Sequence, residues 1–442
     1  MLTFKPHHLE NRLTNARAFQ LFQLMRQGGL ILIAVALAKA PLSVAQVGTY
    51  EMLTYLGYLL TFFWVSGFMQ GLLSHYPTLE PPQQQQLLFQ SFLVFTGIGL
   101  GLALLLLVGQ EVLLPLLVQR SSLPYLGIFV VFLVTSLTAS LQEHFYLLAG
   151  RKMALVYYGT LSAGAQVLAV ALPPFLGYDF VYSFWALAAV GILKWCWLLN
   201  YVIRHGAWRW SGVLLHGWWL ISWPLGLYAL VAGLNQSLGP WLVGYFFEGD
   251  TVSFALYRYG ARELPLLSAL AGALGSALIP AIAQHLNNGL KDLREETTKL
   301  YHLLFPLTIL LLLTADWWFP WVFSEDYRDS VPLFRTFLLL TSAHLLFART
   351  VLVAKQDTRL IPLFAVVSFC LQLLLGFLLV PMLGLNGVAL AAVLAFTAEK
   401  VLLVLYVQKK YALSWTVYTP WKWWLFYSVL LVAGYFLVAW IF

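Results

Sequence analysis

Charge is scarce in this sequence. Asp, Glu, Lys and Arg make up 10% of its 442 residues, against roughly 25% in an ordinary soluble domain. A soluble globule needs a polar skin that this composition cannot supply. A water-soluble enzyme, a nucleic-acid-binding module and a disordered regulator are therefore excluded. Cysteine is nearly missing. The two that occur, Cys196 and Cys370, sit in apolar runs and define neither a disulfide framework nor a thiolate metal site. No Walker sequence, HExxH or GxSxG is present, so no nucleotide-driven pump and no hydrolase is expected, and no cofactor. The apolar runs are continuous rather than alternating, which excludes a transmembrane β-barrel.

What is abundant is apolar: 61% of the residues are hydrophobic and the mean hydropathy is +0.80. A spanning helix needs about 20 mostly apolar residues, and about thirteen such runs are found. They lie near 19–42, 46–74, 87–118, 122–149, 153–176, 180–203, 214–244, 251–285, 299–323, 330–354, 359–382, 386–408 and 420–441. The expected fold class is an all-α polytopic membrane protein. Residues 30–37 end in Ala38-Lys39-Ala40, a pattern also found at signal-peptidase sites. With so many later spans, the run reads better as a first helix. The last run, after Trp421-Lys422-Trp423-Trp424, either spans or lies re-entrant.

The net charge of +7 has a membrane explanation, since Lys and Arg collect on cytoplasmic loops. With the N-terminus inside, about fifteen basic residues fall on inner segments and about three on outer loops. No nucleic-acid partner is implied.

Two stretches match each other. Ala149-Gly150-Arg151-Lys152, an apolar span, Phe175-Leu176-Gly177-Tyr178 and a span with Lys194 form one. Ala354-Lys355, an apolar span, Met382-Leu383-Gly384-Leu385 and a span with Lys400 form the other. The offset, about 205 residues or six helices, makes the copies parallel repeats. This predicts an N-terminal six-helix lobe over 1–204, an interfacial linker over 205–213, a C-terminal six-helix lobe over 214–410, and an extra helix over 411–442. The linker is rich in Trp, as interfacial segments are.

Charges inside spans normally face a cavity or a partner, because mid-bilayer placement costs about 2.5–3.5 kcal/mol. The basic ones are Arg26, Lys194, Arg258, Arg262, Arg335, Arg349 and Lys400; the acidic ones are Glu51, Glu143, Glu263, Glu399 and Asp316. Arg258 and Arg262, four apart, would share a helical face at depths of about 10 and 16 Å. Two guanidiniums on one cavity wall can clamp a phosphate or pyrophosphate; pairing with Glu263 or Glu51 is the other reading. Pro265 would bend that helix. Arg26 meets an anionic headgroup or snorkels to the inner surface, and Arg335 lines an outer cavity. Lys194, Lys400 and Arg349 read as structural or snorkelling side chains. Glu51 is the candidate coupling group. The cationic excess predicts an anionic substrate.

Three stretches carry a family likeness. Val47-Gly48-Thr49-Tyr50-Glu51 continues to Gly67-Phe68-Met69-Gln70-Gly71; Val243-Gly244-Tyr245-Phe246 runs through Tyr257 to Leu278-Ile279-Pro280; and Gly384-Leu385-Asn386-Gly387-Val388-Ala389 opens the twelfth run. In these the chain resembles the multidrug/oligosaccharidyl-lipid/polysaccharide (MOP) exporter superfamily, nearest its polysaccharide-unit, O-antigen-type flippase branch. The resemblance implies a bacterial inner-membrane monomer that moves an undecaprenyl-pyrophosphate-linked oligosaccharide outward by alternating access. It implies a cationic cavity, for which Arg26, Arg258, Arg262 and Arg335 are the candidates. Glu51 and Glu263 would serve as ion-pair or coupling groups, with H⁺ or Na⁺ as the coupling ion. The alternative is an ion-coupled multidrug or cation antiporter of the same fold. A membrane glycosyl- or acyltransferase would need more than the single Glu143-His144 pair, so an enzyme is not expected.

Overall fold

A computed structural model describes residues 14–262 and 265–441. Among these residues every regular element is helical. Eleven helices are long and apolar enough to cross a membrane, or up to twelve if one bent pair counts as a span. The protein is therefore a multi-pass helical membrane protein. The chain divides into two compact units, Met1–Gly233 and Leu234–Phe442.

Unit 1 contains α1 (Asn15–Lys39), α2 (Val44–Phe63), α3 (Pro81–Val108), α4 (Leu126–Ala139), α5 (Leu141–Leu148), α6 (Lys152–Phe175) and α7 (Val181–His205). Local chemistry sets the boundaries. Thr14 caps α1 by accepting from the Arg17 amide, and Ser43 with Gln46 forms a capping box at α2. Two prolines occupy the first turn of α3, where no amide partner is lost. After α2 the chain continues through a π-helical segment, Trp64–Phe68. Such a segment leaves a carbonyl without its usual partner. The buried Trp218 indole donates to the Phe68 carbonyl at 3.1 Å. Phe68 and Trp218 then anchor an aromatic core with Phe92, Phe95, Phe145 and Tyr158.

The helix Gly212–Phe246 (α8) follows residues 206–211, which are not helical. In that connection the Ala207 amide donates to Gln85, and Trp208 packs on Phe89 at 4.8 Å.

Unit 2 contains α9 (Thr251–Gly260), α10 (Pro265–Gln284), α11 (Leu286–Leu313), α12 (Val331–Leu338), α13 (Ile361–Leu383), α14 (Leu385–Tyr411) and α15 (Trp421–Ile441). The single helix expected over 251–285 is thus two. Proline disfavours helical backbone at the residue before it and offers no amide of its own. Asp250 caps α9 through the Val252 and Ser253 amides, and α10 starts at Pro265. The helix α15 is long enough to cross. It packs on α11, where Tyr427 bonds His302 at 2.9 Å and stacks on Phe305.

The internal repeat is visible in the backbone. Gly150 (φ 66°) and Gly177 (φ 79°) bracket α6; Gln356 (φ 56°) and Gly384 (φ 58°) bracket α13. The second pair lies roughly 206 residues after the first. The chemistry at the ends of the paired helices differs. In unit 1 Arg151 meets His205 Nε2 at 2.9 Å, while His205 Nδ1 faces the Tyr201 carbonyl. In unit 2 Asp357 accepts from Lys410 (2.7 Å), Tyr411 (2.8 Å) and Tyr406 (3.0 Å).

Candidate functional site

Unit 1 holds a polar cavity of about 140 Å³, lined by Phe22, Arg26, Ser136, Ser140, Glu143, Gly159, Ser162, Ala163, Gln166 and Lys194. That is room for several waters, since one needs only about 10–15 Å³ on this measure. The lining follows helical arithmetic. Phe22 and Arg26 are four apart on α1. Ser136, Ser140 and Glu143 run down one face across the α4–α5 junction. Gly159, Ser162, Ala163 and Gln166 form a stripe on α6, and α7 adds Lys194.

Small residues bring the walls together. A Cβ on Gly159 would sit 2.7 Å from the Phe22 ring, and one on Gly29 would lie 3.3 Å from Ala163. Thr160 reaches Met25 Sδ at 3.1 Å across the same seam. The break at Ser140 is itself satisfied. The Ser140 hydroxyl bonds Leu137 O, His144 Nδ1 bonds Ser140 O, and Tyr158 donates to Ala139 O. The break aims Glu143 inward, 6% exposed.

Arg26 Nη1 lies 3.6 Å from Glu143 Oε1, with side-chain exposures of 47% and 7%. Lys194 faces the same cavity and feels both of these charges. Two cations and one carboxylate leave an excess of one positive charge. Ser136 Oγ is buried without a hydrogen-bond partner. Anion binding suits such a site, because positive charge in a low-dielectric wall attracts the opposite sign.

The other expected site residues are elsewhere. Arg258 is half-buried on α9. Arg262 lies beyond the end of that helix, its guanidinium 4.8 Å from the Tyr259 ring. The shared helical face is therefore not formed, because α9 ends at Gly260. Arg335 is 6% exposed on α12. It donates to Asp316 and to Leu312 O at 3.2 Å, a structural commitment rather than a cavity wall. Glu51 is buried within α2 and does not line the cavity described above. Glu263 lies outside the described residues. Lys194 had read as a snorkelling side chain; the Ser136/Ser140/Glu143 and Ser162/Gln166 spacing was the available signal for its true setting. The lysine at the repeat position, Lys400, instead pairs with Glu399 at 3.3 Å and sits on the Phe396 ring. No group of three potential metal ligands occurs among the described residues.

A solved structure of the lipid II flippase MurJ, in an inward closed conformation, superposes with a TM-score of 0.74 at 17% identity, covering 95% of this chain and 92% of that one. An inward-facing multidrug resistance MATE family transporter of the MOP superfamily matches with a TM-score of 0.65 at 11% identity, covering 90% and 98%. The chain has the fold of the MOP superfamily. A MOP superfamily transporter from Pyrococcus furiosus is a further match, with a TM-score of 0.56 at 13% identity, covering 93% and 99%. The family model described as lipid II flippase MurJ matches residues 224–442. That stretch lies mostly in unit 2, whereas the MOP-fold cavity described above is in unit 1. No curated protein matches the chain by sequence. The O-antigen branch is not singled out by these likenesses.

Proposed function

We propose that this MOP-fold protein is a flippase for an undecaprenyl-pyrophosphate-linked oligosaccharide, carrying it from the inner to the outer leaflet of a bacterial cytoplasmic membrane by alternating access. The observation that carries the reading is the Arg26–Glu143–Lys194 cavity, with its excess positive charge. A pyrophosphate crossing hydrocarbon needs fixed cations, and a guanidinium meets phosphate oxygens in a bidentate fork. The match of residues 224–442 to a lipid II flippase family model supports a lipid-linked substrate. The cationic excess counts against a cation antiporter, which would need unpaired acids. Arg258 and Arg262 are proposed as further phosphate contacts, and Glu51 as an ion-pair group. The protein acts as a monomer with its N-terminus cytoplasmic, the orientation the basic residues favour.

The test is transport of labelled lipid-linked glycan in proteoliposomes. Arg26→Ala and Lys194→Ala are each expected to slow outer-leaflet arrival at least tenfold, a loss of about 1.4 kcal/mol of phosphate interaction. Full transport by both variants at normal expression refutes the reading.

A further inference from the structure

The internal repeat contains a reversal of charge. The turn before α6 and the turn before α13 share their backbone bonding residue for residue. The amides of Ala149, Gly150 and Arg151 donate to the carbonyls of Phe145, Leu147 and Tyr146; those of Lys355, Gln356 and Asp357 donate to Val351, Val353 and Leu352. Gly150 and Gln356 are both left-handed. Arg151 and Asp357 therefore hold one structural position with opposite charge. The same offset, carried to the second helix of each pair, matches Arg204 with Lys410 and His205 with Tyr411.

In unit 2 the Asp357 carboxylate is the anion around which Lys410, Tyr411 and Tyr406 gather. In unit 1 a guanidinium stands in its position. No Asp or Glu occurs in residues 149–156 or 196–211. Arg151 is held in place rather than loose. It donates from Nη2 to His205 Nε2 at 2.9 Å, so His205 Nδ1–H donates to the Tyr201 carbonyl. Its guanidinium also lies 5.5 Å from the centroid of the Tyr201 ring. The side chain is exposed, which leaves its other N–H groups to the surroundings. Lys152 and Arg204 adjoin the two bonded residues in sequence. The α6 N-terminus has no side-chain cap, and its dipole adds to the positive field.

We propose that this end of unit 1 binds the phosphate of an anionic phospholipid, in the role that the Asp357 carboxylate plays in unit 2. The site is separate from the cavity described above. Gly159 lies eight residues along α6 from Arg151 and Lys194 ten residues before Arg204, about 12 and 15 Å at the helical rise. Its depth selects a lipid. Both α6 and α7 are membrane spans with an end here, at the level of the headgroups. Trp208 and Trp210, each 60% exposed, follow directly, as interfacial residues do. A guanidinium meets phosphate oxygens in a fork, and basic clusters at span ends attract anionic headgroups.

The test uses full-length protein in neutral detergent and a fluorescent short-chain phosphatidylglycerol. Wild type is expected to bind it saturably, with displacement by unlabelled phosphatidylglycerol and not by phosphatidylcholine. Arg151→Asp installs the chemistry of unit 2. It should keep the wild-type melting point and weaken binding at least tenfold. Lys291→Asp makes the same charge change at an exposed residue beside Glu295, and should bind as wild type does. Wild-type affinity in folded Arg151→Asp, or an equal loss in Lys291→Asp, overturns the proposal. Displacement by inorganic phosphate as readily as by phosphatidylglycerol gives the site to small anions. Displacement by a prenyl pyrophosphate alone gives it to the transported lipid. Either result overturns the phospholipid assignment. Should Arg151→Asp fail to fold, Arg204→Ala decides: a loss of at least threefold is expected, and unchanged affinity refutes the site.

Discussion

Arg335 separates a structural charge from a transport charge. Its guanidinium is clamped by Asp316 and by the Leu312 carbonyl, with side-chain exposures of 7% for Arg335 and 26% for Asp316. Breaking a fully buried pair costs about 3–5 kcal/mol, since the surviving charge stays unpaired. Asp316 retains a quarter of its solvent exposure, so the expected loss for Arg335→Leu is smaller, about 2–3 kcal/mol. Asp316→Asn should lose less, because the amide oxygen still accepts. The double replacement Arg335→Leu/Asp316→Leu should recover much of the loss, since no orphaned charge remains. The assay is thermal unfolding of the detergent-solubilised protein, followed through Trp fluorescence, with proteoliposome transport measured in parallel. Transport per folded molecule should be unchanged in all three. An Arg335→Leu protein of wild-type stability with transport abolished would refute this and return Arg335 to the substrate path.

Two further predictions concern the repeat turns. The Lys410 ammonium, with the Tyr411 and Tyr406 hydroxyls, holds the Asp357 carboxyl below its ordinary value of 3.8. A depressed carboxylate stabilises the fold above its unfolded value, and that contribution disappears as pH falls through the folded value. Wild type should therefore lose stability below about pH 4, and Asp357→Asn, which lacks the contribution throughout, should show a shallower acid limb. Gly384 has φ 58° and ψ −138°, a region open only to glycine. A Cβ there would meet nothing within 4 Å, so Gly384→Ala isolates the backbone term. It should cost about 1–3 kcal/mol; an unchanged melting point would contradict the strained turn.

Hydropathy made the spans readable because hydrocarbon accepts only segments that satisfy their own backbone. The repeat was readable too, because its turns use Gly177 and Gly384 at matching places. Pro265 marked the weak point of the eighth run, but not that the helix would stop short of Arg262. Facing was not readable. Helices apolar on every side carry no stripe to say which side meets a neighbour. Thus Arg335 looked like a cavity wall and Lys194 like a snorkelling side chain. The sequence alone determined a many-span helical membrane protein with a cationic excess and a duplicated plan. Only the tertiary structure decided that Arg26, Glu143 and Lys194, far apart along the chain, meet around one cavity. Packing of Gly159 and Ala163 against α1, together with the break at Ser140, turns those three side chains toward each other.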